Sequence, residues 1–426
     1  MVPTGIKMGV SISPWSVVSL PARAEEALSV PKISNSIYRS ITQWVNIYYF
    51  GRVLTQAIVC IFLVSVIIQL GYLLFWYSRL FTVAANTREN DIQPVSVIVC
   101  ARNEAENLGK NLPSVLRQRY MNAPGKKAYE VIVVDDASTD DTPQVLYTLS
   151  QQYDNLWSVT IPPDAVRTSP GKKFALAKGL EAASNDLILM MDADCIPASE
   201  LWLAKMVAPL NERKTLSIGI GKYERRNGWL NAFIRWETMH TVSQYAAYTL
   251  QGKPYMAVGR NLAATRAAIT TAQQSDAWNA LPSGDDDLLV TASANGYNTA
   301  LVFEKDAFTL SPAKRSIASY MKQKQRHLST GKYYKAGTRL ALAAYAITHA
   351  LLWLSFFALL WVGQWEFALT GLAGRCIPYY MYWQFVAGKM DEQFSWMGYL
   401  LSDIGWLVYN FAFSPYIIWK NKKQWT

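Results

Sequence analysis

Leu187-Ile-Leu-Met-Met-Asp-Ala-Asp-Cys195 decides how the rest of the chain is read. An apolar run ending in Asp192 and Asp194 predicts a buried strand of an α/β sheet, with its carboxylates emerging at the C-terminal end, where open sheets bind ligands. Asp-x-Asp spacing in extended chain lets the first and third residues point to one side. That supplies hard oxygen donors for Mg²⁺ or Mn²⁺, which can in turn hold a diphosphate. Taken alone, the same spacing also describes a solvated turn.

Composition sets the frame. The chain has 426 residues, 51% of them hydrophobic and 17% charged, with a net charge of +10. This is too apolar for an ordinary soluble protein, so a membrane component is expected. Segments 53–76 and 340–362 carry no charged side chain and are long enough to span a bilayer. The stretch 367–418 contains Arg375 and Asp403. It is expected to form one transmembrane helix and a second that is interfacial or transmembrane. Cys60, Cys100, Cys195 and Cys376 are scattered without Cys-x-x-Cys pairs or nearby histidines, so reduced thiols are expected rather than a zinc set. Lys and Arg gather beside the hydrophobic segments, which favours anionic lipid over nucleic acid as their partner.

Residues 1–52 stay unassigned, and no signal peptide is expected in them. The soluble block alternates strand and helix signals. Val95–Cys100 and Val131–Val134 read as strands, a weaker strand follows near Ser158–Ile161, and helices are expected from Asn103 towards Arg117, from Thr142, and over Lys173–Ala183. Such alternation predicts a parallel sheet covered by helices on both faces.

Several polar groups then fall at one edge of that sheet. Ala101-Arg-Asn-Glu104 follows the first strand and Asp135-Asp136-Ala-Ser-Thr-Asp140 the second. Loops opening into helices there favour anions, and a carboxylate such as Asp136 can accept hydrogen bonds from a base or ribose. Capping by Asn103, Thr139 and Asp140 is the compatible structural reading. Lys172 and Lys173 stand at a helix start, where cations oppose the helix dipole unless something anionic offsets them. In 223–236, Trp229, Leu230, Phe233 and Trp236 fall at helical spacing among arginines. That suits either an interfacial helix or an amphipathic core helix.

The ordered motifs resemble the inverting family 2 glycosyltransferases with a Rossmann-like GT-A fold. Ala-Arg-Asn-Glu, Asp-Asp-Ala-Ser-Thr-Asp, Gly-Lys-Lys-x-Ala-Leu and Asp-Ala-Asp are followed by Val258-Gly-Arg-Asn-Leu262, Ser283-Gly-Asp-Asp-Asp-Leu288 and Gln323-Lys-Gln-Arg-His327. The last three are similar to the acceptor-side glycine loop, the acidic motif with the catalytic base, and Gln-x-x-Arg-Trp. The resemblance covers about residues 92–335, and flanking spans are similar to membrane-integrated members with lipid-linked or polymeric acceptors.

It implies a nucleotide-sugar donor, expected to be a UDP-sugar, a divalent Mg or Mn cofactor, and a set of roles. Ala101, Asn103, Glu104 and Asp136 would line the nucleotide side, Lys172 or Lys173 would meet the nucleotide, and Asp192 the ribose or diphosphate, with Asp194 as principal metal ligand beside Asp192. Gly259, Arg260, Asn261, Gln323, Arg326 and His327 would contact donor or acceptor. The family's Glu-Asp pair aligns on Asp285 and Asp286, making Asp286 the base, with a slip to Asp285 or Asp287 open. His327 stands where the motif has tryptophan, and its smaller, polar ring weakens the case for processive synthesis.

Basic residues before the second span place the catalytic domain of an integral membrane protein in the cytoplasm. The tail 419–426 agrees if two crossings follow residue 339. Transfer to a membrane lipid or lipid-linked acceptor is the leading expectation. A processive polysaccharide synthase and an inactive nucleotide-sugar-binding membrane protein are the alternatives.

Overall fold

The computed structural model describes residues 35–83, 92–123 and 125–418. Most of the N-terminal segment, the linker 84–91 and the tail expected at 419–426 lie outside the described residues. Contacts divide the chain into Met1–Ala57 and Ile58–Thr426. The first unit contains the start of helix α1 (Asn35–Gly71), with Trp44, Tyr48 and Phe50 exposed.

In the second unit the chain runs through β1 (Val95–Ala101), α2 (Ala105–Leu116), a hairpin β2 (Met121–Ala123) and β3 (Lys126–Lys127), β4 (Tyr129–Asp136), α3 (Thr142–Ser150), β5 (Leu156–Ile161), α4 (Lys172–Ala182) and β6 (Leu187–Asp192). Then come β7 (Ile196–Pro197), α5 (Trp202–Val207), β8 (Leu216–Ile218), β9 (Gly221–Tyr223), α6 (Trp229–Leu250), β10 (Leu262–Thr265), α7 (Arg266–Gln273), α8 (Asp276–Ala280) and α9 (Asp285–Ser293). After β11 (Thr299–Leu301), β12 (Thr309–Ser311) and α10 (Ile317–Leu328), three long helices follow: α11 (Ala336–Trp361), α12 (Trp365–Lys389) and α13 (Trp396–Ile418).

The main sheet has seven strands in the order β11-β8-β10-β6-β1-β4-β5. Period-two alternation sends Ile188 and Met190 of β6 into one core, and Leu187, Leu189 and Met191 into the other. Both faces are therefore covered, which is why the strands read as unbroken apolar runs. Registers Ala101↔Asp135 and Cys100↔Asp192 bring the ends of three central strands to one edge.

The sheet is not wholly parallel, as the alternation had predicted. Strand β10 pairs antiparallel with both β6 and β8. The chain enters β10 directly from the loop at the carboxylate edge, so it must run opposite to the strands that end there.

Of the two readings open for 223–236, the packing matches the amphipathic core helix. Trp236 and Ile234 of α6 are buried, Phe233 packs against Trp236 and Tyr320, and only Trp229 of the four residues at helical spacing is strongly exposed. Helices α10 and α13 cover the face that would have met lipid.

Two helical runs, Thr42–Thr82 and Ala336–Trp361, are long and apolar enough to cross a membrane. Gln69 Nε2 ties the first to the second by donating to Tyr345 O at 3.0 Å and Thr348 Oγ1 at 2.9 Å. The two charges that made 367–418 ambiguous meet each other: Arg375 Nη1 and Nη2 lie 2.7 and 3.2 Å from the Asp403 carboxylate, with Tyr379, Trp353 and His349 completing the shell. A charge in this bundle is tolerable because it is paired and hydrogen-bonded.

Candidate active site

Strand β6 ends in Asp192, and the turn after it carries Asp194. Ligand atoms of Asp192, Asp194 and Cys195 lie within 4.8 Å of one another. Burial raises the Cys195 thiol well above its usual range and Asp194 raises it further, so the sulfur stays protonated, donating to Asp194 Oδ1 at 3.4 Å. The two carboxylates remain as hard donors, a set that fits a divalent Mg or Mn ion. Their charges are already interacting. Burial and then the Asp192 charge push the Asp194 carboxyl upward. Burial would do the same to Asp192, but Lys172, Arg260 and Arg326 bring it below the usual range.

Lys172 opens α4 and contacts Asp192 directly, while its Nζ stands 4.0 Å from Asp285. The ammonium at a helix start is thus offset by carboxylates on both sides, the compensation its position required. Lys173 points elsewhere. It is fully buried, and its Nζ donates to Trp278 O at 2.7 Å and Leu281 O at 2.9 Å. Its expected contact with nucleotide is corrected: the side chain holds the chain around α8. Between the two lysines, the cleft takes Lys172.

The acidic triplet forms the first turn of α9, where the helix dipole favours negative charge. Gly284, at φ +82°, starts it, and a Cβ there would sit 2.2 Å from Thr330 Cγ2, so only glycine fits. Asp286 accepts from Gly259 N at 2.7 Å and from Asp287 N at 2.9 Å, one bond to each oxygen. Burial, with Asp285 adding to it, raises the Asp286 carboxyl to about 6. That suits a base working near neutrality.

Asp287 is different. Burial and the Asp286 charge raise it well above the carboxylate range. Thr330 Oγ1 lies 2.8 Å from His327 O and 2.5 Å from Asp287 Oδ2, and Tyr334 Oη donates to the same oxygen at 2.8 Å. A hydroxyl has one proton. If Thr330 gives it to the carbonyl, the short contact is made by a protonated Asp287. This side chain anchors the loop before α11.

On the other side of the strand ends, the two loops are stitched together. Asn103 adopts φ 56°. Its N–H donates to Ser138 Oγ at 2.9 Å and its Oδ1 accepts from Thr139 N at 2.8 Å. The expected cap by Asn103 is therefore replaced by a loop-to-loop bond. Asp140 does the capping, accepting from Ala105 N of α2 at 3.2 Å and from Thr142 N of α3 at 3.1 Å. Ala101 is buried in β1, so only its backbone can meet a ligand, and Glu104 is occupied by Asn107 at 2.5 Å. Asp136 is fully buried and held bidentately by Arg167 at 2.6 and 3.1 Å. Arg167, alone in a Pro- and Ser-containing loop, carries no sequence signal that singles it out.

The downstream motifs divide in the same way. Asn261 is corrected from a substrate contact to a core clasp. It is fully buried, donating to Ile220 O at 2.9 Å and Ala307 O at 2.8 Å while accepting from Trp202 Nε1 at 2.9 Å. Gly259 approaches Asp286 so closely that a Cβ would meet its Oδ2 at 3.3 Å. Arg260 donates to Gly221 O at 2.9 Å and packs 4.5 Å over Tyr223, whose hydroxyl also accepts from Gln323 Nε2 at 3.1 Å. Arg326 and His327 line the cavity. Enclosure in the cavity wall, then Arg326, Lys324 and Arg260, bring the His327 imidazole below its ordinary value, although much of the residue stays exposed.

Lys172, Asp192, Asp194, Arg260, the acidic triplet, Gln323, Arg326 and His327 border one cavity of about 570 Å³, whereas Asn103, Glu104, Asp136, Lys173 and Asn261 are not in its lining. It runs from Lys172, Asp192 and Asp194 past Asp286 and α10 to Leu342 and Ala346 of α11 and Trp406 of α13. A polar end built on the sheet is continuous with an apolar end built on the long helices.

Comparison with known proteins gives a consistent picture. The family described as glycosyl transferase family 2 matches residues 96–266, and glycosyl transferase family group 2 matches 187–410, more than half of the chain. Glycosyltransferase AglE of Haloferax volcanii is 36% identical over 117 residues, covering 28% of this chain and 35% of that protein. Beta-monoglucosyldiacylglycerol synthase of Nostoc is 32% identical over 138 residues, covering 32% of this chain and 27% of that one. The match thus spans about a third or less of either relative. In fold, the chain is similar to a mannosyltransferase of Pyrobaculum calidifontis solved with GDP-Man and Mn²⁺, at a TM-score of 0.53 and 17% identity over 83% of this chain and 99% of that one. With a mixed α/β sheet of the GT-A type and matches on this scale, the chain belongs to the family 2 glycosyltransferases.

Proposed function

We propose that this glycosyltransferase moves a sugar from a nucleoside diphosphate sugar, expected to be a UDP-sugar, to a hydroxyl of a membrane lipid or lipid-linked acceptor, with inversion. The observation that carries the reading is the single cavity joining the carboxylate edge of the sheet to the apolar faces of α11 and α13. The name of the Nostoc relative, a synthase of a glucosylated diacylglycerol, supports a lipid acceptor. Apolar runs in α1 and α11, with basic residues before α11, support an integral membrane protein whose catalytic domain faces the cytoplasm.

In this reading Asp194, with Asp192, holds a divalent ion, which when bound neutralises charge on the departing diphosphate. Lys172 adds a cation on the same side. The acceptor oxygen attacks the anomeric carbon as the carbon–oxygen bond to the diphosphate breaks, through an oxocarbenium-like transition state. Asp286 Oδ takes the acceptor's proton, and the nucleoside diphosphate leaves with the bonding pair. Asp285 keeps Lys172 in place and helps to raise Asp286. Base or ribose would meet the partly exposed Arg167, which the buried Asp136 holds in place, with the backbone of Ala101, and with Asn103 and Glu104, on the same side. Arg260, Gln323 and Arg326 contribute polar contacts to diphosphate or acceptor. His327 offers no broad aromatic platform, which supports single addition over processive synthesis.

The test is incubation of the full chain in native lipids with a panel of labelled nucleotide sugars and Mn²⁺ or Mg²⁺. Label entering the lipid fraction supports the proposal. Label confined to free sugar or to water-soluble polymer contradicts it.

A further inference from the structure

Beyond the acidic loop the cavity passes a row of polar side chains that the donor chemistry does not use. Glu237, Thr241 and Gln244 of α6 line it, spaced four and three apart and so stacked on one helix face. Thr241 Oγ1 donates to Glu237 Oε1 at 3.0 Å, and Lys324 of α10 places its Nζ 2.5 Å from Glu237 Oε2. Asn410 of α13 also lines the cavity, and its buried Nδ2 has no hydrogen-bond partner among the described residues. A buried amide donor left unpaired is costly, and a ligand is one way in which it is satisfied.

The charge of this row is balanced. Lys324 is offset by Glu237, whereas Arg326 and Lys314 act on Asp192 and Asp194 at the donor end. Paired charges together with amides and hydroxyls suit a group that both donates and accepts hydrogen bonds. Within the row no cation is left uncompensated for a phosphate; Arg339 of α11, which also lines the cavity, is exposed and donates to Lys332 O at 3.3 Å. A lipid with a single hydroxyl would present it to Asp286 and leave Asn410 Nδ2 unpaired. Leu342, Ala346 and Trp406 then give the acyl portion an apolar exit.

We infer that Glu237, Thr241, Gln244, Lys324 and Asn410 form the acceptor headgroup subsite, and that the acceptor is a lipid with a neutral polyhydroxylated headgroup. One hydroxyl faces Asp286 while others pair with the row. This rests on the lipid-acceptor reading above.

The full chain is reconstituted in vesicles with the nucleotide sugar identified by the donor panel and one of three acceptors with identical acyl chains: diacylglycerol, monohexosyl diacylglycerol or phosphatidylglycerol. Two added hydrogen bonds lower KM for the monohexosyl lipid by about tenfold relative to diacylglycerol. Asn410→Leu, close in size, brings that ratio towards one without lowering Tm, because the donor it removes has no partner among the described residues. Glu237→Gln also brings the ratio towards one, with a fall in Tm because Lys324 loses its buried carboxylate partner. A structural role would instead lower Tm and move the KM values for all acceptors together, and this would overturn the assignment. Equal use of diacylglycerol, or preference for phosphatidylglycerol, also overturns it and leaves the lipid-acceptor reading standing. Failure to label any lipid removes both.

Discussion

Asp286→Asn probes the proposed base through two independent quantities. Burial with Asp285 nearby raises this carboxyl from 3.8 to about 6. At about 1.4 kcal/mol per unit, the folded protein holds the ionised form at a cost of about 3 kcal/mol. The sign follows from linkage. A raised folded value means that the associated stability is complete below about pH 4 and is lost as pH rises through about 6. Asparagine is neutral throughout and loses nothing over that window. It does lose one acceptor, since Asp286 takes Gly259 N–H on one oxygen and Asp287 N–H on the other. That penalty of about 1–3 kcal/mol does not depend on pH.

Unfolding of both proteins in detergent, between pH 4.5 and 7.5, should therefore show the variant gaining up to about 2 kcal/mol on wild type as pH rises, the first part of the loss falling below pH 4.5, whatever the constant offset. The figure is an upper bound, because removing the Asp286 charge lets Asp287 ionise more readily. Transfer should fall by about two to four orders of magnitude, the scale of a positioned base, while wild-type transfer rises to a plateau above about pH 6. A variant that retains transfer within tenfold, or a stability difference flat with pH, would refute the reasoning.

Asp194→Asn, nearly isosteric, should abolish divalent-dependent transfer without unfolding the protein; turnover unchanged at saturating donor and metal would contradict its role as principal ligand. Lys173→Met should destabilise by about 1–3 kcal/mol, because the carbonyls of Trp278 and Leu281 lose their donor, while transfer per folded molecule persists; loss of donor affinity in a folded variant would return Lys173 to the cleft. His327→Trp should preserve or modestly lower single transfer and lengthen residence of the glycosylated product, read by product-release kinetics; a ladder of sugars made by the wild type would remove the single-addition reading.

What the sequence conveyed, and what it withheld, follows from the range of the interactions. Strands β1, β4 and β6 could be read because a strand buried on both faces must be apolar along its length. The carboxylates at their ends were legible because a polar break after such a run must lie at the sheet edge. Direction was lost at β10, since four residues carry no mark of which way they pair. Lys173 and Asn261 sit beside functional motifs but face inward, and adjacent positions on a helix start or a tight loop differ in direction without differing in composition. Arg167 with Asp136, Lys324 with Glu237, and Arg375 with Asp403 are pairs far apart along the chain, and each partner alone reads as a solvated charge. The amphipathic start of α6 was ambiguous for a related reason: a stripe of aromatic residues specifies an apolar neighbour, and both lipid and another helix satisfy it.

The most direct measurement is the anomeric configuration of the lipid product, determined by NMR after reaction with the donor that labels lipid best. Direct attack by an acceptor hydroxyl deprotonated by Asp286 predicts a single lipid-linked sugar of configuration opposite to that in the donor. Retained configuration, or sugar found only on water-soluble acceptors, would contradict the account.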